Sequence, residues 1–403
     1  MNLGALQIQA IVDATKTPTP EQVRVVEAPR RPLLVVAGAG SGKTETMSMR
    51  VLWLLANHPD LSPSSILGLT FTRKAAGELG ERLRERIRLL SREMPQLRER
   101  LDEDPVALTY NSFAERIVSE HGMRIGLDPD FSMLSEAGAI DLMTQIVEAW
   151  PTDLDDKLTP AGVVGQVLHL AGEISEHGYT VERAREVLEE FGRELEQVGR
   201  GNKESRKAMD VNSRRIAFLG PIAAYQQRKR EMGVLDFSDQ LVLATRIVRE
   251  APAVRASLRE EFRAVLLDEF QDTSVIQMDL LSMLFADHAV TAVGDPNQAI
   301  YGWRGASASS LESFLDRFQT GTSEEGQTLT LSTAWRNDVS ILDAANRVAA
   351  PLREVPSFQV GKQELKAQSP VLVPRGGAGP GAVDIAFTQD YDEALGAMVD
   401  FVQ

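Results

Sequence analysis

The sequence predicts an α/β fold: a parallel sheet covered by helices on both faces and interrupted by a helical insertion. Three observations predict it. Short continuous apolar runs alternate with helical stretches, the pattern of strands buried on both faces. The first run leads through a glycine-rich loop straight into a helix. Residues 110–261, which separate the second run from the third, show mostly helical periodicity.

Each element has a local reason. Pro32–Ala37 reads as a buried strand and Gly38–Gly42 as a glycine-rich turn. Thr44–Ala56 reads as a helix, with Met47, Val51, Leu54 and Leu55 at helical spacing. Ser65–Thr72 is a second strand, and Arg73–Arg100 a long charged helix ended or kinked near Pro95. Ala264–Leu267, Ala289–Val293 and Thr328–Leu331 complete the strand set. Gly376–Gly381 is a loop, and a last helix begins near Asp392.

Composition bounds the reading. The 403 residues carry 43 Lys+Arg against 58 Asp+Glu, a net charge of −15, with 43% hydrophobic residues and no cysteine. That excludes a disordered tail, a collagen-like rod, a disulfide scaffold and a thiolate metal site. The N-terminus makes a poor signal peptide and no apolar run approaches a membrane span, so a cytoplasmic location is expected. Taken alone, the acidic balance argues against a nucleic-acid partner. Locally the charge is uneven. Arg73–Arg100 has nine basic and five acidic residues, a net of +4. Glu136–Glu196 has fourteen acidic and four basic, a net of −10, and Lys203–Arg230 has eight basic and two acidic, a net of +6. The basic stretches are either solvated helix faces or part of a polyanion track.

Three motifs carry chemistry. Residues 37–44 read Ala-Gly-Ala-Gly-Ser-Gly-Lys-Thr, a P-loop with Ala37 in place of its first glycine. Backbone N–H groups of Ala39, Gly40, Ser41 and Gly42 can curl around phosphate oxygens at a helix N-terminus. Lys43 can reach the β- and γ-phosphates of ATP, and the Thr44 hydroxyl can ligate Mg²⁺. Residues 266–273 read Leu-Leu-Asp-Glu-Phe-Gln-Asp-Thr. Asp268, at a strand end, suits Mg²⁺ coordination through the metal's water shell. Glu269 suits a general base for water attack on the γ-phosphate. Residues 294–305 contain Gln298, a neutral donor that can sense the γ-phosphate, and the rings of Tyr301 and Trp303, two apart. Those rings either stack on unpaired bases or belong to the core.

In order, AGAGSGKT, LTFTRKAA (69–76), LTYNSF (108–113), LDFSDQL (235–241), DEFQDT (268–273), GDPNQAIYGWRGA (294–306) and LSTAWRN (331–337) resemble the UvrD/Rep helicases. These are superfamily-one, 3′→5′ DNA translocases, and the resemblance covers about Thr17 to Asn346. It implies a first RecA-like domain from 1–108 and 262–315, an inserted helical domain from 109–261, and the beginning of a second RecA-like domain from 316–403. It implies that Gln22 reads adenine and that Gln298 couples the γ-phosphate to the DNA site. Phe71 and Trp303 would stack on single-stranded bases, with Thr70, Thr72, Tyr110 and Tyr301 nearby. Arg304 would anchor the strand or the motif, and Arg336 would be an arginine finger. The implied partners are ATP, Mg²⁺ and single-stranded or partly duplex DNA, in repair or recombination.

The chain departs from the family pattern at four points. Trp335 stands for the usual Tyr that stacks on adenine, Asn111 for a common His, and Glu45 for an Arg near the nucleotide. The family's later Thr-x-His-x-x-Lys-Gly-Leu-Glu and Val-Ala-x-Thr-Arg stretches are missing, so a portion of a longer protein is expected. The acidic composition also resembles the AdnAB-type helicase–nucleases, which implies a helicase–nuclease partner subunit. Three alternatives stay open: a motor subunit of such a complex, a non-catalytic DNA-binding subunit, and a P-loop signalling ATPase.

Overall fold

The computed structural model describes residues 3–128, 130–155, 157–198, 203–300, 302, 310–321, 326–354 and 368–402. Among them the strands are β1 (Leu33–Ala37), β2 (Ile66–Thr70), β3 (Val106–Thr109), β4 (Ser132–Met133), β5 (Val234–Leu235), β6 (Ala264–Leu267), β7 (Val290–Gly294), β8 (Gln327–Leu331), β9 (Thr333–Ala334) and β10 (Val373–Pro374). Six form one parallel sheet in the order β3-β2-β6-β7-β1-β8. Short pairs β4–β5 and β9–β10 stand apart.

Strand alternation divides the core. Leu34, Val36, Leu67, Leu69, Val265 and Leu267 face one apolar cluster, while Leu33, Val35, Ile66 and Leu266 face the other. Successive residues point to opposite faces, so apolar residues throughout are what a doubly covered sheet needs. The second face is covered by α1 (Ala5–Asp13), α2 (Pro20–Val26), α3 (Lys43–Asn57) and α4 (Arg73–Glu93). Helix α4 stops ahead of Pro95, as the sequence predicts, and a short 3₁₀ turn, Pro95–Leu97, follows.

The first face corrects the expected boundaries of the insertion. It is covered by α5 (Tyr110–His121), and further along the chain by α10, α11, α12 and α13. Before those, α6 (Glu136–Glu148), α7 (Pro160–Glu176), α8 (Val181–Val198) and α9 (Lys203–Met232) build a separate core around Met143, Val167, Leu219 and Ile222. Then α10 (Phe237–Glu250), α11 (Pro252–Glu261), α12 (Val275–Phe285) and α13 (Phe314–Phe318) return to the sheet. Phe113 of α5 meets Phe262, just past α11, edge to face in that core, and Val254 and Leu258 of α11 enter it, so both helices pack with the sheet. The independent insertion is therefore α6–α9, narrower than 109–261.

The expected boundary at 315/316 also moves. Strand β8 pairs along its whole length with β1, and Leu331 is buried beside it. The Gly38 N–H donates to the Leu331 carbonyl at 3.1 Å. The sheet domain therefore runs through Leu331. Beyond it lie β9, α14 (Val339–Glu354), β10 and α15 (Tyr391–Val402).

Arg50 on α3 is the most constrained side chain in this assembly. It is fully buried, and its guanidinium donates to the carbonyls of Val25, Ala28 and Pro29 at 2.8–3.0 Å and to Val26 at 3.3 Å. Its Nε donates to Thr291 Oγ1 on β7 at 2.8 Å. These carbonyls include the orphans at the end of α2, where positive charge is favourable. Burial lowers the guanidinium pKa to about 10, which leaves it charged at neutral pH. Arg50→Met strands those acceptors, each worth about 1–3 kcal/mol when unpaired. Urea unfolding is expected to show a loss of about 3–5 kcal/mol, with Arg50→Lys in between.

Candidate functional site

The carboxyl ends of β1, β6 and β7 gather the predicted motifs. The loop after β1 turns on Gly40 and Gly42, at φ +73° and +81°, a region that only glycine enters without strain. Gly42 is the N-cap of α3, so the loop presents the positive end of that helix. The Ser41 side chain is buried and its hydroxyl has no hydrogen-bond partner. Lys43 Nζ lies 3.1 Å from Glu269 Oε2, so the lysine's charge is held by the carboxylate.

Groups from distant parts of the chain close on this loop. A Cβ added to Gly42 would lie 3.0 Å from Gln22 Nε2 and 3.6 Å from the Trp335 ring. One added to Gly40 would lie 3.3 Å from Arg336 Cβ. The Trp335 backbone N–H donates to the Gly40 carbonyl at 2.9 Å. Gln22 is buried, and Thr19 and Gln22 cap α2 reciprocally. Glu21 accepts from the Ser332 N–H and hydroxyl, both at 2.8 Å, which ties α2 to the 331–337 segment. Glu21 sits beside Gln22, and Ser332 in the LSTAWRN segment, so the pair joins two stretches that the sequence alone leaves unconnected. Glu45 pairs with Arg86 of α4.

The acidic loop after β6 is electrostatically tense. Asp268 is buried, its Oδ1 accepting the Glu269 N–H at 3.0 Å. Burial, then the neighbouring Glu269 charge, pushes its carboxyl up to about 6. The same two causes push Asp272 up to about 6. Glu269 has φ 48°, left-handed backbone that a non-glycine residue adopts at a cost. Gln298 Nε2 donates to Asp295 Oδ2 at 2.7 Å. Thr44 and Asp268 are hard oxygen donors of the kind Mg²⁺ takes, and the unpartnered Ser41 hydroxyl leaves a further polar group for a nucleotide. The residues present fit the pair of ligands.

A cleft of about 480 Å³ separates the sheet domain from α7 of the insertion. Phe71, Arg73, Asn111, Phe237 and Asp272 line one wall, and His169 and Glu173 the other. Helices α4, α5, α10 and α12 start at this wall; the side chains of Thr72, Thr109 and Asp236 cap the first three, while the Ser274 hydroxyl at the start of α12 has no partner. Tyr110 lines this cleft beside Phe71, but it is only 4% exposed, its hydroxyl donating to the Asp268 carbonyl at 3.0 Å. Thr70 is buried and donates to the Thr72 carbonyl at 3.2 Å. Neither can offer a free surface to a base, whereas Thr72 is exposed. Phe237 was missed: it is 56% exposed at the start of α10, inside a quoted motif. Tyr301, Trp303 and Arg304 lie outside the described residues. On α9 several basic residues are tied to carboxylates: Arg214 to Asp155, Arg215 to Glu173, and Lys229 to Asp236 and Asp239. Among the described residues no helix is long and apolar enough to cross a membrane.

A family model described as the UvrD/REP helicase N-terminal domain matches residues 18–319. The chain is 30% identical over 327 residues to DNA helicase II of Escherichia coli K12, covering 81% of this chain and 39% of that protein. It is 31% identical over 327 residues to DNA helicase II of Salmonella typhimurium, with the same coverage. It is 28% identical over 331 residues to the ATP-dependent DNA helicase PcrA of Staphylococcus aureus, covering 81% and 39%. The chain thus spans about two-fifths of the length of these relatives.

The raised Asp268 carboxyl has a sign that can be measured. Its folded pKa exceeds the unfolded value, so ionisation destabilises the fold, by an amount that grows as pH rises from about 4 to about 6. At pH 7, Asp268→Asn is expected to raise the melting temperature of the nucleotide-free protein, by roughly 1–3 kcal/mol of stability. The same change should abolish the Mg²⁺ dependence of ATP binding, read by titration with and without the metal.

Proposed function

Because the chain belongs to the UvrD/REP helicase family, we propose that it is the ATP-binding motor portion of a DNA helicase that tracks 3′→5′ along single-stranded DNA in repair or recombination. The observation that carries the reading is the convergence of Gln22, Lys43, Glu269, Trp335 and Arg336 on one phosphate loop. Gln22 and Trp335 are the adenine-side groups, a hydrogen-bonding edge and a ring. Lys43 leaves Glu269 for the incoming β- and γ-phosphates. The freed carboxylate then takes the proton of the attacking water. Thr44 and Asp268 would hold Mg²⁺, which neutralises charge on the phosphates when bound. Arg336, exposed beside Gly40, supplies fixed positive charge at the γ-phosphate.

DNA runs over the cleft wall. Phe71 and Phe237 supply ring faces, and the helix N-termini supply N–H groups for backbone phosphates. The family resemblance would add Trp303 and Tyr301 as base-stacking rings and Arg304 as a strand anchor. Gln298 links it to the γ-phosphate. A helicase–nuclease partner subunit is the second reading, favoured by the acidic composition; it keeps the same motor chemistry. The work is done in the cytoplasm, where the DNA is.

Glu269→Gln in the full-length protein is expected to abolish DNA-stimulated ATP hydrolysis, by at least about 100-fold, while ATP binding persists. Unchanged hydrolysis would sink the base assignment. Phe71→Ala and Phe237→Ala should each weaken single-strand binding by about 1–3 kcal/mol and leave nucleotide affinity alone. Fluorescence anisotropy with a labelled oligonucleotide checks this; equal loss of both affinities would mean the rings are structural.

A further inference from the structure

Gln271, between β6 and α12, is 3% exposed, and its side-chain amide makes three hydrogen bonds to three parts of the site. Nε2 donates to Glu269 Oε2 at 2.9 Å and to Asp272 Oδ2 at 3.1 Å. Oε1 accepts from the Asp295 backbone N–H at 3.1 Å. The partners fix the orientation of the amide: ionised carboxylates only accept and a backbone N–H only donates. Gly294 makes room for it, since a Cβ there would stand 2.7 Å from Gln271 Oε1 and 3.1 Å from its backbone nitrogen. Asp295 Oδ2 then accepts from Gln298. A continuous chain of hydrogen bonds and covalent links runs from Glu269 through Gln271 and Asp295 to Gln298.

We propose that Gln271 is a positioning residue for ATP hydrolysis: its amide holds the Glu269 carboxylate in register with the loop that carries Gln298. The proposal rests on the reading of Glu269 as general base. Among the described residues, the hydrogen-bond partners of that carboxylate are Lys43 and Gln271. When phosphates draw Lys43 away, Gln271 is the partner that still locates the base. An amide does this at any pH, because it carries a donor toward Glu269 and an acceptor toward Asp295 on one uncharged side chain. The second donor bond runs to Asp272, whose Oδ1 has no hydrogen-bond partner and which lines the cleft. The same amide therefore touches the base, the γ-phosphate-sensing loop and the cleft wall.

Two variants test it in the full-length protein with ATP and a single-stranded oligonucleotide. Gln271→Leu removes donor and acceptor at similar size. Its kcat at saturating ATP and DNA is expected to fall about 10–100-fold, the scale of a misplaced reacting group. Nucleotide affinity should stay within about 2-fold of wild type. Gln271→Glu reads out the hydrogen bonds themselves. Ionised, it sets a further carboxylate against Glu269, Asp272 and Asp295, with Asp268 close behind and Lys43 the cation on Glu269. Protonated, it offers an O–H donor toward Glu269 and a carbonyl acceptor toward Asp295 and restores those two bonds, leaving the one to Asp272 unmade. Its kcat relative to wild type at the same pH is expected to rise as pH falls from about 8 to about 6. A flat ratio, an unchanged kcat in Gln271→Leu, or equal losses of kcat and nucleotide affinity would overturn the proposal. Should Gln271→Leu fail to fold, the Gln271→Glu ratio decides alone. Hydrolysis that survives Glu269→Gln overturns the base reading and this proposal together. Hydrolysis lost in Glu269→Gln but intact in Gln271→Leu overturns the proposal only.

Discussion

Arg50 lies where the elements of the nucleotide site meet. The phosphate loop can cradle an anion only if α3 starts at the right place and angle, and Gln22 can face that loop only if α2 is fixed to the same frame. One buried guanidinium does both, from the middle of α3 to the carbonyl end of α2 and across to Thr291 on β7. It donates to four carbonyls and the Thr291 hydroxyl at once, a task no apolar side chain could take over. The charge has no carboxylate beside it among these partners. Helix α2 supplies the compensating negative end instead. Glu21 extends the frame at the other end of α2, where its carboxylate holds Ser332 and with it the segment that carries Trp335 and Arg336.

Against that stiff frame, the phosphate-facing surface is left electrostatically unfavourable. Asp268 and Asp272 are ionised at neutral pH although both are held near 6, Glu269 has strained backbone, and the Ser41 hydroxyl has nothing to bond. Each of these costs stability, and a cation beside the two carboxylates would offset the largest of them. The Lys43–Glu269 pair is the stopgap: it neutralises two charges until phosphates replace one partner. A surface that is tense when empty and relaxed when filled is how binding energy becomes conformational work.

Strands β1, β2, β6 and β7 were legible because each is a run of apolar residues buried on both sides, whereas the half-buried edge strand β3 was not. Their predicted limits differ from the observed ones by a residue or two, which is the usual slack of element ends. The domain boundaries were not legible. Helices α5, α10 and α11 have the same amphipathic period as α6–α9, and period says which face is apolar but not which core that face enters. Phe113 and Phe262 enter the sheet core, Met143 and Val167 the insertion core, and all four look alike in sequence. Strand β8 is similar: its Gln-Thr-Leu-Thr-Leu pattern marks an edge strand without saying which sheet it completes. Tyr110 shows the limit for single residues. A tyrosine at the start of a helix near a DNA motif reads as surface, but its hydroxyl finds the Asp268 carbonyl and its ring the core.

The −15 net charge loses its force as an objection to DNA once the charges are located. The −10 stretch lies across α6–α8, and several basic residues of the +6 stretch on α9 are tied to carboxylates. What remains at the cleft is different in kind. The starts of α4, α5 and α12 present partial positive charge that no residue count records, and Phe71 and Phe237 present uncharged faces, beside the carboxylates of Glu115, Glu173, Glu176 and Asp272. Binding built from backbone dipoles and stacking releases few counterions, so it depends less on salt than binding built from lysine and arginine. It also reads no base edges, and a strand held that way can be released and regripped at the next nucleotide without regard to sequence.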